Sequence, residues 1–394
     1  MIAGGGTGGH LFPGIAVAEA ARRRDPNGAI LFVGSERGLE ARIVPSAGFA
    51  LEALPTTPLR GRGARDRVRA IAGLAAGVGR ARGVIRRFAP DAIVGLGGYA
   101  SAPAVIAGRL AATPIVLLEQ NARPGLTTRL LARFADRVCV SFPESAAAFA
   151  AGKAVVTGNP VRWRAADGAV ASSPAASSGT AMSASSVPTG TATSAPSAAS
   201  PETTAGGRGL ALLIFGGSAG ARTLNLAGPA LAAALADVPG LSIVHQTGAE
   251  AEASVRAAYA GAGIRADVRP FIADMGAAYA AADVVVCRAG ATTIAELAAL
   301  GKPAILVPYP YAADDHQRAN AESLVAVGAA AMVLDAEASG ERLAAEVRRL
   351  LAPAARATMA ARVRALAHPD AAERVLATVE ALVYARTGGR RRSA

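Results

Sequence analysis

The sequence is poor in aromatic residues, in cysteine and in long apolar runs. Phe, Trp and Tyr make up only 4% of the 394 residues, so stacking platforms for bases are scarce and we expect no nucleic-acid partner. Two cysteines, Cys139 and Cys287, cannot form a disulfide framework. No run approaches the roughly 20 apolar residues that span a bilayer. These absences predict a protein of a reducing, cytoplasmic compartment.

Basic residues outnumber acidic residues, 41 to 29. The net charge of +12 indicates an anionic partner. Nine arginines fall between residues 60 and 87, and apolar residues recur among them at helical spacing. This pattern favours an amphipathic basic helix on an anionic membrane surface, with a solvated helix face as the alternative. The apolar positions are Val68, Ile71, Leu74 and Val78.

Short apolar runs alternate with helical segments in both halves of the chain. Runs of this length, ending in Gly, Pro or polar residues, are typical of strands buried on both faces of a parallel sheet. Two successive α/β units are therefore predicted. The runs are 30–34, 92–98, 114–120 and 137–142 in the first half, and 210–217, 242–248, 282–290 and 303–310 in the second.

A segment of nearly pure Ala, Ser, Thr, Pro and Gly separates the two halves. Such a composition cannot bury enough apolar surface to offset its ordering entropy, so it predicts a disordered insertion. The chain after residue 340 reads as helical and ends in an Arg-rich tail. The predicted division is 1–165, an N-terminal domain; 166–208, the disordered insertion; 209–353, a C-terminal domain; and 354–394, C-terminal helices with the basic tail.

The first glycine-rich loop, residues 4–10, reads Gly-Gly-Gly-Thr-Gly-Gly-His and precedes a helical run. Glycine lets a backbone approach a ligand closely, and the N–H groups of a helix start favour a phosphate. Gly4, Gly6 and Gly9 also fit G-x-G-x-x-G, a weak dinucleotide signal. The acidic residue after the second strand, Glu36, does not stand at the strand tip, which argues against NAD and a dehydrogenase.

Two further glycine-rich turns follow strands of the second half, at residues 215–222 and 288–293. The second of them opens a helix that contains Glu296, a carboxylate suited to accept both hydroxyls of a ribose. Asp-Asp-His-Gln at 314–317 follows the next strand. Together these loops predict a nucleotide-sugar site.

Seven motifs stand in the order in which they occur in a known family. The sequence resembles the MurG family of peptidoglycan glycosyltransferases over almost its whole length except residues 166–208. Seven ordered motifs are far more specific than any one of them. They lie at residues 5–10, 97–101, 119–121, 158–162, 216–222, 245–248 and 287–292.

The resemblance implies an inverting transfer of N-acetylglucosamine from UDP-N-acetylglucosamine to the 4-hydroxyl of undecaprenyl-pyrophosphoryl-N-acetylmuramyl-pentapeptide, which converts lipid I to lipid II. It implies a glycosyltransferase-B fold of two Rossmann-like domains facing a cleft. The N-terminal domain would bind the acceptor and dock on the anionic inner-membrane surface, and the C-terminal domain would bind the donor. The C-terminal helices would return to the first domain. The protein would lie at the cytoplasmic face of the cell membrane, as a peripheral protein.

The resemblance also implies the substrate-binding positions. One group would lie near the sugar and diphosphate, Ile272 would meet the uracil through its backbone, a third group would line the ribose and phosphates, and Gln317 would hold sugar hydroxyls. The first group is Thr7, Gly8, Gly9, Asn121, Arg162 and Ser218; the third is Ala291, Thr292, Thr293, Ile294, Ala295 and Glu296.

The residue that accepts the proton is left open between two candidates. His10 follows the glycine loop and has an intrinsic pKa near ~6.5, suited to proton transfer; the alternative is a histidine that only packs at a helix start. Glu119 competes for the role of base, with a carboxylate bound to a backbone turn as its alternative. Tyr99 is either an acceptor contact or a buried loop tyrosine. His245 is expected to pack between domains or strands.

Some features depart from the family pattern or leave other functions open. The first strand is cut to three residues, which indicates a misplaced start or a weakened strand, and Thr128 and His316 replace residues usual in the family. No Asp-x-Asp pair occurs, so we expect neither a metal ion nor another cofactor. Another UDP-sugar glycolipid glycosyltransferase, a UDP-N-acetylglucosamine epimerase and a non-catalytic nucleotide-binding module remain alternatives.

Overall fold

In the computed structural model the chain forms two α/β units, each built on one parallel sheet. The predicted succession of two α/β units is therefore confirmed. The predicted insertion, 166–208, lies outside the described residues. The structure describes residues 1–5, 8–35, 39–54, 64–161, 209–217 and 219–388, with the backbone alone at 64–70.

Seven strands form the first sheet. They are β1 (Ile2–Ala3), β2 (Leu31–Ser35), β3 (Ala50–Leu54), β4 (Ile93–Gly95), β5 (Ile115–Glu119), β6 (Arg137–Val140) and β7 (Ala154–Val156). Their spatial order is β3-β2-β1-β4-β5-β6-β7, and every neighbouring pair is parallel. The order reverses between β1 and β4, so a crevice for ligands opens beyond the carboxyl ends of these two strands.

Five helices connect these strands. They are α1 (Gly8–Arg24), α2 (Glu40–Ser46), α3 (Ala64–Phe88), α4 (Ala102–Leu110) and α5 (Leu126–Leu131). From residue 64 on, where the structure describes it, the arginine-rich stretch forms a single helix, α3. Side chains alternate along β5, as the period of two requires: Leu117 packs with Val105 of α4, and Val116 packs with Ile15 of α1. Both faces of the first sheet are therefore covered.

The second sheet has six parallel strands. They are β8 (Ala211–Phe215), β9 (Ser242–Gln246), β10 (Asp267–Arg269), β11 (Val284–Cys287), β12 (Ala304–Leu306) and β13 (Ala331–Met332). The order is β10-β9-β8-β11-β12-β13, with the reversal between β8 and β11. The helices are α6 (Arg222–Ala234), α7 (Glu252–Gly261), α8 (Met275–Ala281), α9 (Ala291–Leu300), α10 (His316–Ala326), α11 (Gly340–Arg349) and α12 (Pro353–Arg364).

The last helix, α13 (Ala371–Thr387), leaves the second unit and packs on the first. Val375 and Leu376 share an apolar cluster with Leu11 of α1, and Arg24 bonds Glu380 at 3.0 Å. The preceding helix, α12, packs instead against α9. The chain therefore crosses between the units twice, which ties them together.

Several strands were not predicted by the pattern of apolar runs. Besides the shortened first strand, four strands were predicted per half, whereas the described residues form seven strands in the first sheet and six in the second. The additional strands include the edge strands β3, β7, β10 and β13, which are only partly buried and need no continuous apolar run. The short first strand, β1, lies at the centre of its sheet, where Ile2 pairs with Phe32 and Val94.

Two observations concern membrane-spanning helices and the two cysteines. Within the described residues, no helix combines the length and the apolar character needed to cross a bilayer. Cys139 and Cys287 are buried and carry free thiols.

Candidate functional site

The crevices of the two sheets face each other through the first turns of α1 and α9. The Thr292 hydroxyl, in the first turn of α9, donates a hydrogen bond to the Gly9 carbonyl at 3.1 Å. Each helix begins directly beyond a central strand of its sheet. Two helix N-termini therefore direct their free N–H groups toward one gap, an arrangement that favours a diphosphate.

The glycine turn after β8 approaches the chain after β9 more closely than any side chain permits. Gly220 has φ +75°, and a Cβ there would lie 1.9 Å from the Thr247 carbonyl oxygen. The Gln246 amide donates to the Gly217 carbonyl at 2.9 Å and supports the same turn. Glycine is therefore required here by both conformation and space.

His10 lies in the first turn of α1, and its ring is partly exposed. Nδ1 lies 3.0 Å from Oε1 of Gln120, which follows β5, and Nε2 of Gln120 donates to the Leu96 carbonyl at 3.0 Å. Burial by the surrounding protein lowers the pKa of His10, and the hydrogen bond to Gln120 and the Leu96 carbonyl oppose this effect. Burial therefore favours the neutral form of the ring.

Glu119, at the end of β5, is 2% exposed and holds the turn that follows it. Oε1 accepts from the backbone N–H and the side-chain amide of Asn121, at 3.0 and 3.2 Å, and Oε2 accepts from the Gly125 N–H at 3.3 Å. Burial raises the pKa of Glu119, although these bonds and one from the Thr128 hydroxyl lower it. The hydroxyl that departs from the family pattern thus serves this carboxylate.

Asn320 of α10 joins the two units at the back of the gap and is fully buried. Its Oδ1 accepts from the Ala122 N–H at 2.8 Å, and its Nδ2 donates to Asn121 Oδ1 and to the Ala289 carbonyl, both at 3.2 Å. Nearby, Asp314 accepts from the Leu126 N–H at 3.2 Å. Asn121 is therefore held between Glu119 on its own strand end and Asn320 of the other unit.

Glu296 lies on the second turn of α9, at the side of the second sheet. Its Oε2 accepts a hydrogen bond of 2.8 Å from the Tyr279 hydroxyl. Burial raises the pKa of Glu296 to about 7, and the Tyr279 bond opposes that rise. The Tyr279 ring packs edge-on against Phe215, with centroids 5.8 Å apart. This carboxyl group therefore changes charge within the physiological pH range.

The remaining predicted positions differ in what they offer a ligand. Ile272 is 2% exposed, so its side chain is closed to a ligand. Gln317 turns its Oε1 inward, where it accepts from the Tyr309 N–H at 3.0 Å. Tyr99 is 37% exposed, unlike a buried loop tyrosine.

Eleven other predicted substrate-binding positions either lie in the first turns of α1 and α9 or fall outside the described residues. Gly8 and Gly9 begin α1, and the first two turns of α9 run from Ala291 to Glu296 through Thr292, Thr293, Ile294 and Ala295. Thr7, Arg162 and Ser218 lie outside the described residues. Among the described residues, no group of three or more His, Cys, Asp or Glu side chains is arranged to hold a metal ion.

The structure adds residues that the sequence did not single out. Asn320 lies three positions after Gln317, on the same face of α10, and this spacing is a signal that was available in the sequence. Gln120 stands inside a motif, but its partner is 110 residues away. His245, expected to pack between domains or strands, is buried within β9 and contacts Tyr259 at 3.0 Å.

Two facing α/β units with glycine turns at both switch points define the architecture of a two-domain glycosyltransferase. The sequence profile described as Glycosyltransferase family 28 N-terminal domain matches residues 1–140, and Glycosyltransferase family 28 C-terminal domain matches residues 211–375. The chain belongs to glycosyltransferase family 28.

Similar proteins carry one enzyme name. The proteins from Pelobacter propionicus and Geotalea uraniireducens are named UDP-N-acetylglucosamine–N-acetylmuramyl-(pentapeptide) pyrophosphoryl-undecaprenol N-acetylglucosamine transferase. They are 47% and 45% identical to this chain; the matches cover 89% of it in both cases, and 90% and 89% of those proteins. The crystal structure of MurG from Acinetobacter baumannii aligns with a TM-score of 0.73 and 30% identity, over 97% of this chain and 98% of that one. The predicted family and glycosyltransferase-B fold are confirmed.

Proposed function

We propose that this protein transfers N-acetylglucosamine from UDP-N-acetylglucosamine to the 4-hydroxyl of undecaprenyl-pyrophosphoryl-N-acetylmuramyl-pentapeptide, the lipid I to lipid II step of peptidoglycan synthesis. The names of the relatives, at 43–47% identity over about nine-tenths of the chain, support this substrate pair. The observation that carries the mechanism is the meeting of the first turns of α1 and α9 at Gly9 and Thr292. This contact brings His10 to the edge of the gap where a diphosphate fits best.

The second unit supplies the donor site in this proposal. The N–H groups at the start of α9 stabilise the diphosphate, and Glu296 accepts the ribose hydroxyls through Oε1, because Tyr279 occupies Oε2. Ile272 meets the uracil through its backbone, and Gln317 holds sugar hydroxyls. Thr7, Arg162 and Ser218 remain proposed contacts of the donor.

His10 is the proposed general base. The acceptor oxygen attacks the anomeric carbon, the bond from that carbon to the diphosphate oxygen breaks, UDP leaves with the electron pair, and the hydroxyl proton passes to the imidazole. One displacement of this kind inverts the anomeric centre. Fixed N–H groups that face the developing charge on UDP lower the barrier without a metal ion.

Glu119 is less suited to that role than His10. Both of its oxygens accept hydrogen bonds from the turn at residues 121–125, whereas the His10 ring is partly exposed. We infer that Glu119 shapes the turn that presents Asn121 and that Tyr99 contacts the acceptor.

The test follows radiolabelled N-acetylglucosamine into lipid with and without a lipid I analogue. Label in a disaccharide lipid, with UDP released only when the acceptor is present, is the expected result; conversion of the donor to an epimeric UDP-sugar in the absence of acceptor would indicate an epimerase instead. His10→Gln should lower kcat about 10²–10⁴-fold, the contribution of a positioned base, with donor affinity unchanged. An unchanged kcat would remove His10 from the mechanism.

The first unit also carries the features of a membrane-docking surface. α3, α4 and α5 pack on one face of its sheet, and they expose large apolar side chains beside arginines. We propose that this face, the docking face, rests on anionic lipid, which holds the lipid-linked acceptor at the gap. Its exposed apolar residues are Ile71, Leu74, Leu110, Leu126 and Leu130, and its exposed arginines include Arg80, Arg82 and Arg86.

Co-sedimentation with phosphatidylglycerol vesicles at low salt tests the docking face. Arg80→Gln together with Arg82→Gln should weaken binding about 30-fold, from about 1 kcal/mol for each basic residue at the surface. The matched control, Arg265→Gln with Arg318→Gln, removes the same charge from the second unit and should bind nearly as the parent protein does. If both variants lost vesicle binding equally, the binding would depend on net charge alone and the docking face would be wrong.

A further inference from the structure

The hydrogen bonds around Gln120 fix which of its two side-chain atoms faces His10. The Leu96 carbonyl can only accept, so the atom 3.0 Å from it must be the amide nitrogen, Nε2. The reversed amide would set two oxygens against each other there. Oε1 therefore faces the imidazole, at 3.0 Å from Nδ1.

That orientation in turn fixes the proton on the ring. An amide oxygen only accepts, so Nδ1 must carry the hydrogen that it donates to Gln120. A neutral imidazole has one N–H, and Nε2 is then left with its lone pair. The backbone carbonyl, the amide and the ring thus form one chain of bonds with a single consistent polarity.

The turn after β4 keeps the other edge of the ring accessible. Gly98 has φ +69°, and a Cβ there would lie 3.7 Å from Nε2 and 3.6 Å from Cδ2. Gly97, at φ +84°, would place a Cβ 3.6 Å from Cε1. A Cβ at either position would lie in van der Waals contact with the ring edge that carries Nε2, and a longer side chain there would cover it.

We propose that Gln120 is a positioning residue that holds His10 in the tautomer with the proton on Nδ1, so that Nε2 faces the acceptor hydroxyl as a base. The inference rests on the proposed role of His10, and it adds how the ring is prepared. Gln120 itself is 2% exposed and acts only through the histidine.

The neighbouring titratable groups do not compete for this role. Glu119 bonds the turn at 121–125, Glu296 bonds Tyr279, and Tyr99 lies in the turn after β4. The pKa of His10 responds to burial, to Gln120 and to the Leu96 carbonyl, with no charged group among its causes.

Nitrogen NMR of histidine-labelled protein tests the tautomer directly. The chain has four histidines, so the His10 signals are assigned by their loss in His10→Gln. Long-range correlations should show a protonated Nδ1 and an unprotonated Nε2 in the parent protein. A proton on Nε2 would overturn the inference, whatever the activity.

Two substitutions separate positioning from structure. Gln120→Met keeps the length but has no amide, so the Nδ1–H signature should be lost and kcat should fall about 10²-fold, at unchanged donor affinity. Gln120→Glu restores an acceptor for Nδ1 and should recover much of kcat. Because the carboxylate stabilises the imidazolium, it should also move the acidic limb of the kcat profile to higher pH. A loss of stability alone would not move this limb.

Gln246→Met is the matched control, because Gln246, the last residue of β9, is also a buried glutamine whose amide donates to a loop carbonyl. It should leave the His10 tautomer unchanged. Retention of the Nδ1–H signature and of kcat in Gln120→Met would overturn the inference. If Gln120→Met does not fold, an unmoved pH profile in Gln120→Glu overturns it. If the parent protein shows the Nδ1–H signature and His10→Gln keeps full kcat, His10 is not the base, and the tautomer assignment still stands.

Discussion

Removal of the Tyr279 hydroxyl should move the pH dependence of donor binding to higher pH. Tyr279 donates to Oε2 of Glu296 at 2.8 Å, and this bond opposes the burial that raises the pKa of Glu296 to about 7. A hydrogen bond to a charged group contributes about 1.5–3 kcal/mol, and one pKa unit corresponds to about 1.4 kcal/mol. In Tyr279→Phe the pKa of Glu296 should therefore rise to about 8–9.

The sign follows from the proposed contact with ribose. The ionised carboxylate accepts hydroxyl hydrogen bonds more strongly than the protonated acid, so donor affinity should fall as pH falls through the pKa of Glu296. At pH 7.5, the smaller ionised fraction in Tyr279→Phe should weaken UDP-N-acetylglucosamine binding about 3- to 25-fold, and the loss should disappear well above pH 9. The ring remains packed on Phe215, so folding should be little affected.

Calorimetric titration of UDP-N-acetylglucosamine between pH 6 and pH 9.5 makes the measurement. Tyr259→Phe is the matched control, because it removes another buried tyrosine hydroxyl of the second unit, one that contacts His245 at 3.0 Å. Its profile should follow that of the parent protein. A midpoint in Tyr279→Phe that stays in place or moves to lower pH would refute the reasoning.

Two further predictions concern stability and the joint between the units. Burial lowers the pKa of His245 to about 4, so the unfolded chain binds one proton more than the folded protein as pH falls from about 6.5 to 4, and the free energy of unfolding decreases. His245→Gln should remove up to about 3 kcal/mol of this decrease. Chemical denaturation at several pH values checks this, and an unchanged dependence of the unfolding free energy on pH would contradict it. Asn320→Ala removes three hydrogen bonds that involve both units. Small-angle scattering of the free protein should therefore show a larger radius of gyration, and the KM for the donor should rise. An unchanged scattering profile and KM would show that Asn320 does not set the geometry of the cleft.

Most interior strands of the two sheets could be predicted from the sequence, because they are buried on both faces. The run at 114–120 became β5, and the run at 282–290 contains β11. Exposed edge strands such as β13 have no such signal, since two partly buried residues suffice to pair. The pattern of apolar residues reports burial, and it identifies strands only where burial is complete.

The site divides along a similar line. His10 and Glu296 could be located by their place after glycine-rich turns and Glu119 by its place at the end of an apolar run, because the carboxyl ends of interior strands are fixed once the α/β alternation is known. The residues that bond to them could not be identified from the sequence. The bond from Gln120 to His10 spans 110 residues and that from Asn320 to Ala122 spans 198, and the distances depend on how two helices and two sheets finally pack.

The two carboxyl groups of the site illustrate why chemistry cannot be assigned from residue type alone. Glu119 ends β5, Glu296 lies on the helix that follows β11, and burial raises the pKa of each. Glu119 accepts hydrogen bonds at both oxygens from its own turn, whereas Tyr279 bonds Glu296 at Oε2. The first geometry favours a structural role and the second favours contact with a ligand. Because proton transfer at neutral pH requires an accessible lone pair, these contacts favour the imidazole of His10 over either carboxylate as the base.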